Sequence, residues 1–232
     1  MFYGSSYWVF MLPAILVVLL AQLWVSSTYR KWGKVQNSAG VTGGQAAERL
    51  LRNSGLSDVR FEAIPGQLTD HYDPRSRSLR LSAQVAEGAS VASLAIAAHE
   101  IGHAIQDQQG YLPMKLRSAI VPAVGIGSNL GWILLIIGLL LRSPELAGLG
   151  LVAFSLGAVF AFATLPVELN ASARARELLS TSGLVQTEEE KSGVRAVLSA
   201  AAFTYVAALA AAVLQLLYYG TMVAGMGGRR RR

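Results

Sequence analysis

Two histidines and a glutamate set the chemical problem. The chain of 232 residues owns three histidines, and two of them, His99 and His103, stand four apart in AAHEIGHAIQ, Ala97 to Gln106, with Glu100 between them. On a helix of 3.6 residues per turn that spacing puts both imidazoles on one face, about 40° apart. Two neutral ring nitrogens so placed can bind one Zn²⁺ at ~2.0–2.1 Å. Glu100 would then face a water on the ion, where a carboxylate can act as general base in hydrolysis. The apolar neighbours Ala97, Ala98, Ile101 and Ile105 suit a buried helix.

A hydrolytic zinc takes three protein ligands and keeps one position open. Cysteine is absent, which excludes thiolate ligands, disulfides and thiol catalysis, so the third ligand must be His, Asp or Glu. The remaining histidine is His71. The carboxylate best placed by chain topology is Glu168 in LPVELNASARARELL. On a helix starting near Pro166 it shares a face with the small residues Ala171, Ser172 and Ala175, which would let it approach the helix carrying Gly102. Ser172 reads as a packing residue in preference to a hydrogen-bond partner of a ligand. In DHYDP, His71 or Tyr72 could donate to the oxyanion of a tetrahedral intermediate. Alternatively Asp70 and Asp73 build an Asx-type turn before Pro74, with His71 packed or capping.

The elements that must hold these groups follow from periodicity and punctuation. Ser90 to Gln109 reads as one helix of about 20 residues that Gly110 stops. Thr42 and Gln45 form a capping box, Ala46, Ala47, Leu50 and Leu51 an apolar stripe, and Gly55 a helix end. VRFEAI and SRSLRLS alternate with period two and read as strands joined by the irregular loop PGQLTDHYDPR. The strand Ser78–Ser82 is either a member of a small sheet or an edge that holds extended substrate.

The chain is 53% hydrophobic and 15% charged, too apolar for an ordinary water-soluble domain. Four apolar runs, near Tyr7–Val25, Ile120–Leu141, Leu146–Leu165 and Leu198–Leu217, approach the ~20 residues that cross a bilayer as a helix. The histidine helix is not counted among them, because its polar side chains would be expensive in lipid. The first run lacks a basic leader and a cleavage site and reads as a retained anchor. The second and third are joined only by RSPE, so they form a hairpin that returns the chain to the side it left and brings residues after Leu165 near those before Arg117. Gly127 and Gly131 have the spacing for close helix approach, or are ordinary membrane glycines. Thr187 and Glu190 form a second capping box at the start of the last helix. With four spans, Tyr29–Arg117 and Pro166–Arg195 share one side and carry 15 of the 20 Lys and Arg. That bias makes the side cytoplasmic and reads the net charge of +6 as topology, without nucleic acid as a partner. Arg229–Arg232 oppose the bias, as a solvated end or a lipid-headgroup contact.

The anchor, LTDHYDPRSRSLRLS, AAHEIGHAIQ, the transmembrane hairpin and TLPVELNASARA occur in an order that resembles the YugP-like family of bacterial membrane zinc metallopeptidases over nearly the whole chain. More distantly, the sequence is similar to HtpX-type membrane metalloproteases, which place an Asp where Ser172 stands here. The resemblance implies a mainly α membrane protein: four transmembrane helices with a small α+β zincin-like catalytic domain of gluzincin type. It implies His99, His103 and Glu168 as ligands of one Zn²⁺ per chain and Glu100 as base. The organisation expected is an anchor over 1–29, a catalytic part over 30–117, a hairpin over 118–166, a helix with the third ligand and a loop over 167–197, and a fourth span with the basic tail over 198–232. The function expected is zinc-dependent endoproteolysis of membrane-associated or misfolded polypeptides at the cytoplasmic face of the bacterial inner membrane. The rivals are a zinc-binding adaptor that does not cut and, behind it, a metal transporter. Polypeptide and bilayer are the expected partners; a second copy or another protein stays open.

Overall fold

A computed structural model describes residues 3–229; Arg230–Arg232 of the basic tail lie outside the described residues. The fold is mainly helical. Among the described residues four helices are long and apolar enough to cross a membrane: α1 (Tyr3–Trp32), α5 (Leu112–Leu140), α6 (Pro144–Thr181) and α7 (Glu188–Arg229). Each extends beyond the apolar run that marks it in the sequence, because main-chain hydrogen bonding runs on where polar side chains replace apolar ones; in α6 it runs through Pro166, where the sequence suggested a helix start. α6 therefore carries on past Leu165 to Thr181. The chain divides into two compact units.

The first unit takes its described residues from Met1–Ala21, Leu116–Leu165 and Thr204–Arg232. Its exterior is apolar: Val9, Ile126, Val152 and Phe162 are 67%, 72%, 68% and 68% exposed, the inverse of a water-soluble surface and the condition suited to lipid. The α5–α6 hairpin turns at Arg142, which adopts φ +55°. Small residues line its seam. A Cβ on Gly131 would strike the backbone of Phe154, one on Gly138 that of Ala147, and one on Gly150 that of Leu135. Gly131 thus serves close approach, whereas Gly127 faces the flexible side chain of Leu156; the glycine spacing works inside the hairpin itself.

The second unit is Gln22–Lys115 with Pro166–Phe203. Its first helix of its own, α2 (Gly43–Asn53), carries the capping box: Gln45 N–H donates to Thr42 Oγ1 at 3.2 Å, and Thr42 N–H donates to Gln45 Oε1 at 3.0 Å. Gly55, at φ +68°, ends the helix with its N–H on the carbonyl of Arg52, while Leu56 N–H returns to Leu51. A three-stranded sheet follows in the order β1-β3-β2. β1 (Arg60–Ile64) runs parallel to β3 (Ser78–Ser82), and β2 (His71–Asp73) runs antiparallel to β3.

Two expectations change here. β3 is the central strand, with both sides paired, so the edge-strand alternative for Ser78–Ser82 is withdrawn. β2 lies inside the stretch read as loop; its three residues are too few for alternation to register as a strand. The Asx-type turn is present: Asp73 accepts from Arg75 N–H at 3.0 Å and from Ser76 Oγ at 2.7 Å. Asp70 accepts from Ser82 N–H at 2.8 Å and so ties the loop to the end of β3.

After α3 (Ala83–Glu87), α4 (Val91–Gln108) begins at Ser90, whose Oγ accepts from Ser93 N–H, and ends where Gly110 adopts φ +62°. Leu50, Leu56, Leu79, Leu81, Leu94 and Ile101 are fully buried and form one core with Leu179 and Leu184. Glu190, buried near the start of α7, accepts from the N–H groups of Ser38, Gln186 and Thr187 at 2.6, 2.9 and 2.9 Å. It closes the second capping box and also fastens the α1–α2 connection.

Candidate metal centre

α4 has one helix face that carries chemistry and is buried almost everywhere else, so its polar side chains need partners on the elements packed against it. Those partners come from α6 and β2. The approach of α6 is set by glycine: a Cβ on Gly102 would stand 2.6 Å from the carbonyl oxygen of Ala171. Only hydrogen at that position lets the backbones of α4 and α6 lie so near, and the face of α6 that arrives is the small-residue face around Ala171, Ser172 and Ala175, all buried.

That contact brings Glu168 to the histidines. Its Oε2 lies 3.2 Å from His99 Nε2 and 3.5 Å from His103 Nε2. The two imidazoles meet edge to face, with centroids 4.8 Å apart and planes at 83°. One donor atom from each of the three side chains falls within 4.8 Å of the others. The donor set fits zinc. Ligands each ~2.1 Å from a tetrahedral ion stand about 3.4 Å apart, which is the spacing of the carboxylate oxygen from both ring nitrogens. Two imidazoles and one carboxylate also make the ligand set of several hydrolytic zinc sites.

Glu100 is not among the three converging donors. Its Oε2 accepts from the main-chain N–H of Tyr72 in β2 at 3.0 Å, which holds the carboxylate beside the cluster. Burial pushes the Glu100 carboxyl above its ordinary range, with the imidazoles of His99 and His103 pulling the other way. At His103 burial opposes the charged ring, but the carboxylates of Glu168 and Glu100 outweigh it and hold the pKa above the ordinary value.

The other two candidates lie on β2. The side chain of His71 is exposed, with Nδ1 2.7 Å from the carbonyl oxygen of Thr69. Tyr72 is buried, and its hydroxyl donates to Asp107 Oδ2 at 2.8 Å. Burial and the neighbouring Asp107 carboxylate push that phenol up to about 12.

Behind the three converging donors stand Ser172, read from the sequence as a packing residue, and Gln106, which sequence reasoning passed over. Ser172 Oγ lies 3.3 Å from His99 Nδ1, so it contacts an imidazole of the cluster as well as packing. Gln106, fully buried, has Oε1 3.0 Å from His103 Nδ1. Its Nε2 donates to Val167 O at 2.8 Å and to Asn170 Oδ1 at 2.9 Å. The available signal was spacing: Gln106 is three residues beyond His103 on the same helix face.

The sequence model of the family described as "Putative neutral zinc metallopeptidase" matches residues 7–224. A protein of Bacillus subtilis (strain 168) named "Putative membrane protease YugP" is 45% identical over 199 residues, which cover 86% of this chain and 88% of that protein. No solved structure matches the chain.

Proposed function

We propose, from the premise that the chain belongs to the neutral zinc metallopeptidase family, that it is a membrane endopeptidase with one zinc site per chain. In this reading His99, His103 and Glu168 hold the ion in a zincin-like, gluzincin-type arrangement. The single observation that carries it is the position of Glu168 Oε2, 3.2 and 3.5 Å from two ring nitrogens supplied by another helix. Bound zinc supplies Lewis acidity, polarising a peptide carbonyl and lowering the pKa of a water toward ~7. Glu100 accepts the proton of the attacking water and passes it to the departing amine. The Tyr72 N–H keeps the Glu100 carboxylate from swinging out of reach between those steps.

Of the two oxyanion donors, we assign the role to His71. The Tyr72 hydroxyl is spent on Asp107, whereas His71 turns Nδ1 to Thr69 O and leaves Nε2 for substrate. Because Thr69 O can only accept, Nδ1 carries a proton, and Nε2 donates only when the ring is an imidazolium. The lysine and arginine bias assigns the second unit to the cytoplasmic face of the bacterial inner membrane. An anchored enzyme meets membrane-associated or misfolded polypeptides first, and these are the substrates we assign.

The test is Glu100→Gln in the full chain. Zinc content by elemental analysis is expected to stay at one per chain, while cleavage of an unfolded polypeptide falls by about 10²–10⁴-fold, the range of general acid–base catalysis. Glu168→Ala is expected to lose the metal. Unchanged cleavage by Glu100→Gln would remove Glu100 as the base, and zinc binding without cleavage by the wild-type chain would leave an adaptor or transport role for the site instead.

A further inference from the structure

We infer that Gln106 is a positioning residue that sets His103 in the Nδ1–H tautomer before any metal arrives. The inference rests on His99, His103 and Glu168 being the metal site, and it concerns what prepares that site. Free histidine favours the opposite tautomer, with the proton on Nε2. In this chain Nε2 is the nitrogen that faces Glu168, at 3.5 Å, and a proton there would have to leave before the nitrogen could ligate an ion.

The direction of each hydrogen bond follows from groups that have no choice. Val167 O is a main-chain carbonyl and can only accept, so the Gln106 atom 2.8 Å from it must be the amide nitrogen. Arg174 Nε can only donate, and it lies 2.7 Å from Asn170 Oδ1. That oxygen therefore accepts, and at 2.9 Å it takes the other proton of Gln106 Nε2. Both amide protons of Gln106 are committed, so its Oε1 is left facing His103 Nδ1 at 3.0 Å and can only accept. His103 must donate from Nδ1, so in the neutral ring the lone pair lies on Nε2, the nitrogen turned toward Glu168.

The arrangement at His99 lacks this property. Its Nδ1 meets the hydroxyl of Ser172 at 3.3 Å, and a hydroxyl can donate or accept, so it imposes no tautomer. Gln106 is also the link between the two ligand-bearing helices. One amide group touches the imidazole of a ligand on α4 and the carbonyl of the residue preceding Glu168 on α6. It is fully buried, so water cannot substitute for either contact without opening the core.

Histidine-selective ¹⁵N labelling of the full chain in lipid nanodiscs tests the inference, since only three histidines give signals. In the zinc-free protein at alkaline pH, where imidazoles are neutral, His103 is expected to show the Nδ1–H pattern; an Nε2–H pattern overturns the proposal with no substitution needed. Gln106→Met keeps the volume and removes both functions of the amide. It is expected to shift His103 toward Nε2–H and to weaken zinc binding 10–100-fold in competition with a chromophoric chelator, the usual cost of losing a group that orients a metal ligand. Gln106→Glu keeps the acceptor and is expected to retain Nδ1–H and bind zinc more tightly than Gln106→Met. Unaltered tautomer and affinity in Gln106→Met, or equal losses in both variants, overturn the inference. Failure of the wild-type chain to bind zinc overturns the metal site itself, while the tautomer remains readable in the zinc-free protein.

Discussion

Glu100 and Glu168 are both glutamates beside the same two imidazoles, and their partners separate their roles. Glu168 meets the ring nitrogens directly and is buried; Glu100 is restrained by a main-chain amide of a neighbouring strand. β2 itself presents a similar division. His71→Ala is expected to lower kcat by about 10²-fold, in the range measured for losing one oxyanion donor, with zinc content unchanged. Tyr72→Phe removes a hydrogen bond to a carboxylate in a partly buried setting, worth about 1.5–3 kcal/mol. It is expected to lower the unfolding temperature and leave kcat near wild type. If Tyr72→Phe instead cost activity at unchanged stability, the assignment of the two residues would be reversed. Residue identities made the histidine pair and Glu100 plain in the sequence, because the i, i+4 rule acts along one helix. They could not expose the Tyr72 N–H as a partner of Glu100, since a main-chain donor belongs to every residue type.

α4 and α6 meet through Gly102 and Ala171, and the proposed ligand set depends on that separation. Gly102→Leu would push the helices apart and is expected to reduce zinc binding severely while costing about 1–3 kcal/mol, the usual price of overpacking; metal content and thermal unfolding check both. A variant retaining full zinc would show that α6 need not approach so closely. Helix ends were legible in advance at Thr42, Gly55, Ser90, Gly110 and Thr187, because caps are local chemistry. The strand between them was not. β2 exists because β3 and α4 offer it partners on two sides, and nothing within HYD announces that.

The candidate metal site lies wholly within the second unit, yet its three donor side chains come from α4 and from a helix that the sequence reaches only after an apolar hairpin. In the proposed reading, an ion held by side chains so far apart in sequence contributes to folding. Zinc at a thousandfold excess over its Kd is expected to stabilise the folded chain by about 4 kcal/mol. Chelation should lower the unfolding temperature, readdition should restore it, Glu100→Gln should keep the shift, and Glu168→Ala should abolish it. A shift persisting in Glu168→Ala would remove that residue from the ligand set. The sequence by itself determined the four apolar helices, the histidine pair with its glutamate, and the capped ends, since each depends on composition or on spacing within a few residues. Only the tertiary structure decided that β3 is central and β2 an edge, that Ser172 and Gln106 stand behind the imidazoles, and that Glu168 reaches both ring nitrogens. Apart from the contact of Gln106 with His103, three residues apart on one helix, those are contacts across 61 to 73 residues of chain or pairings between strands, and their energy resides in packing that no local pattern records.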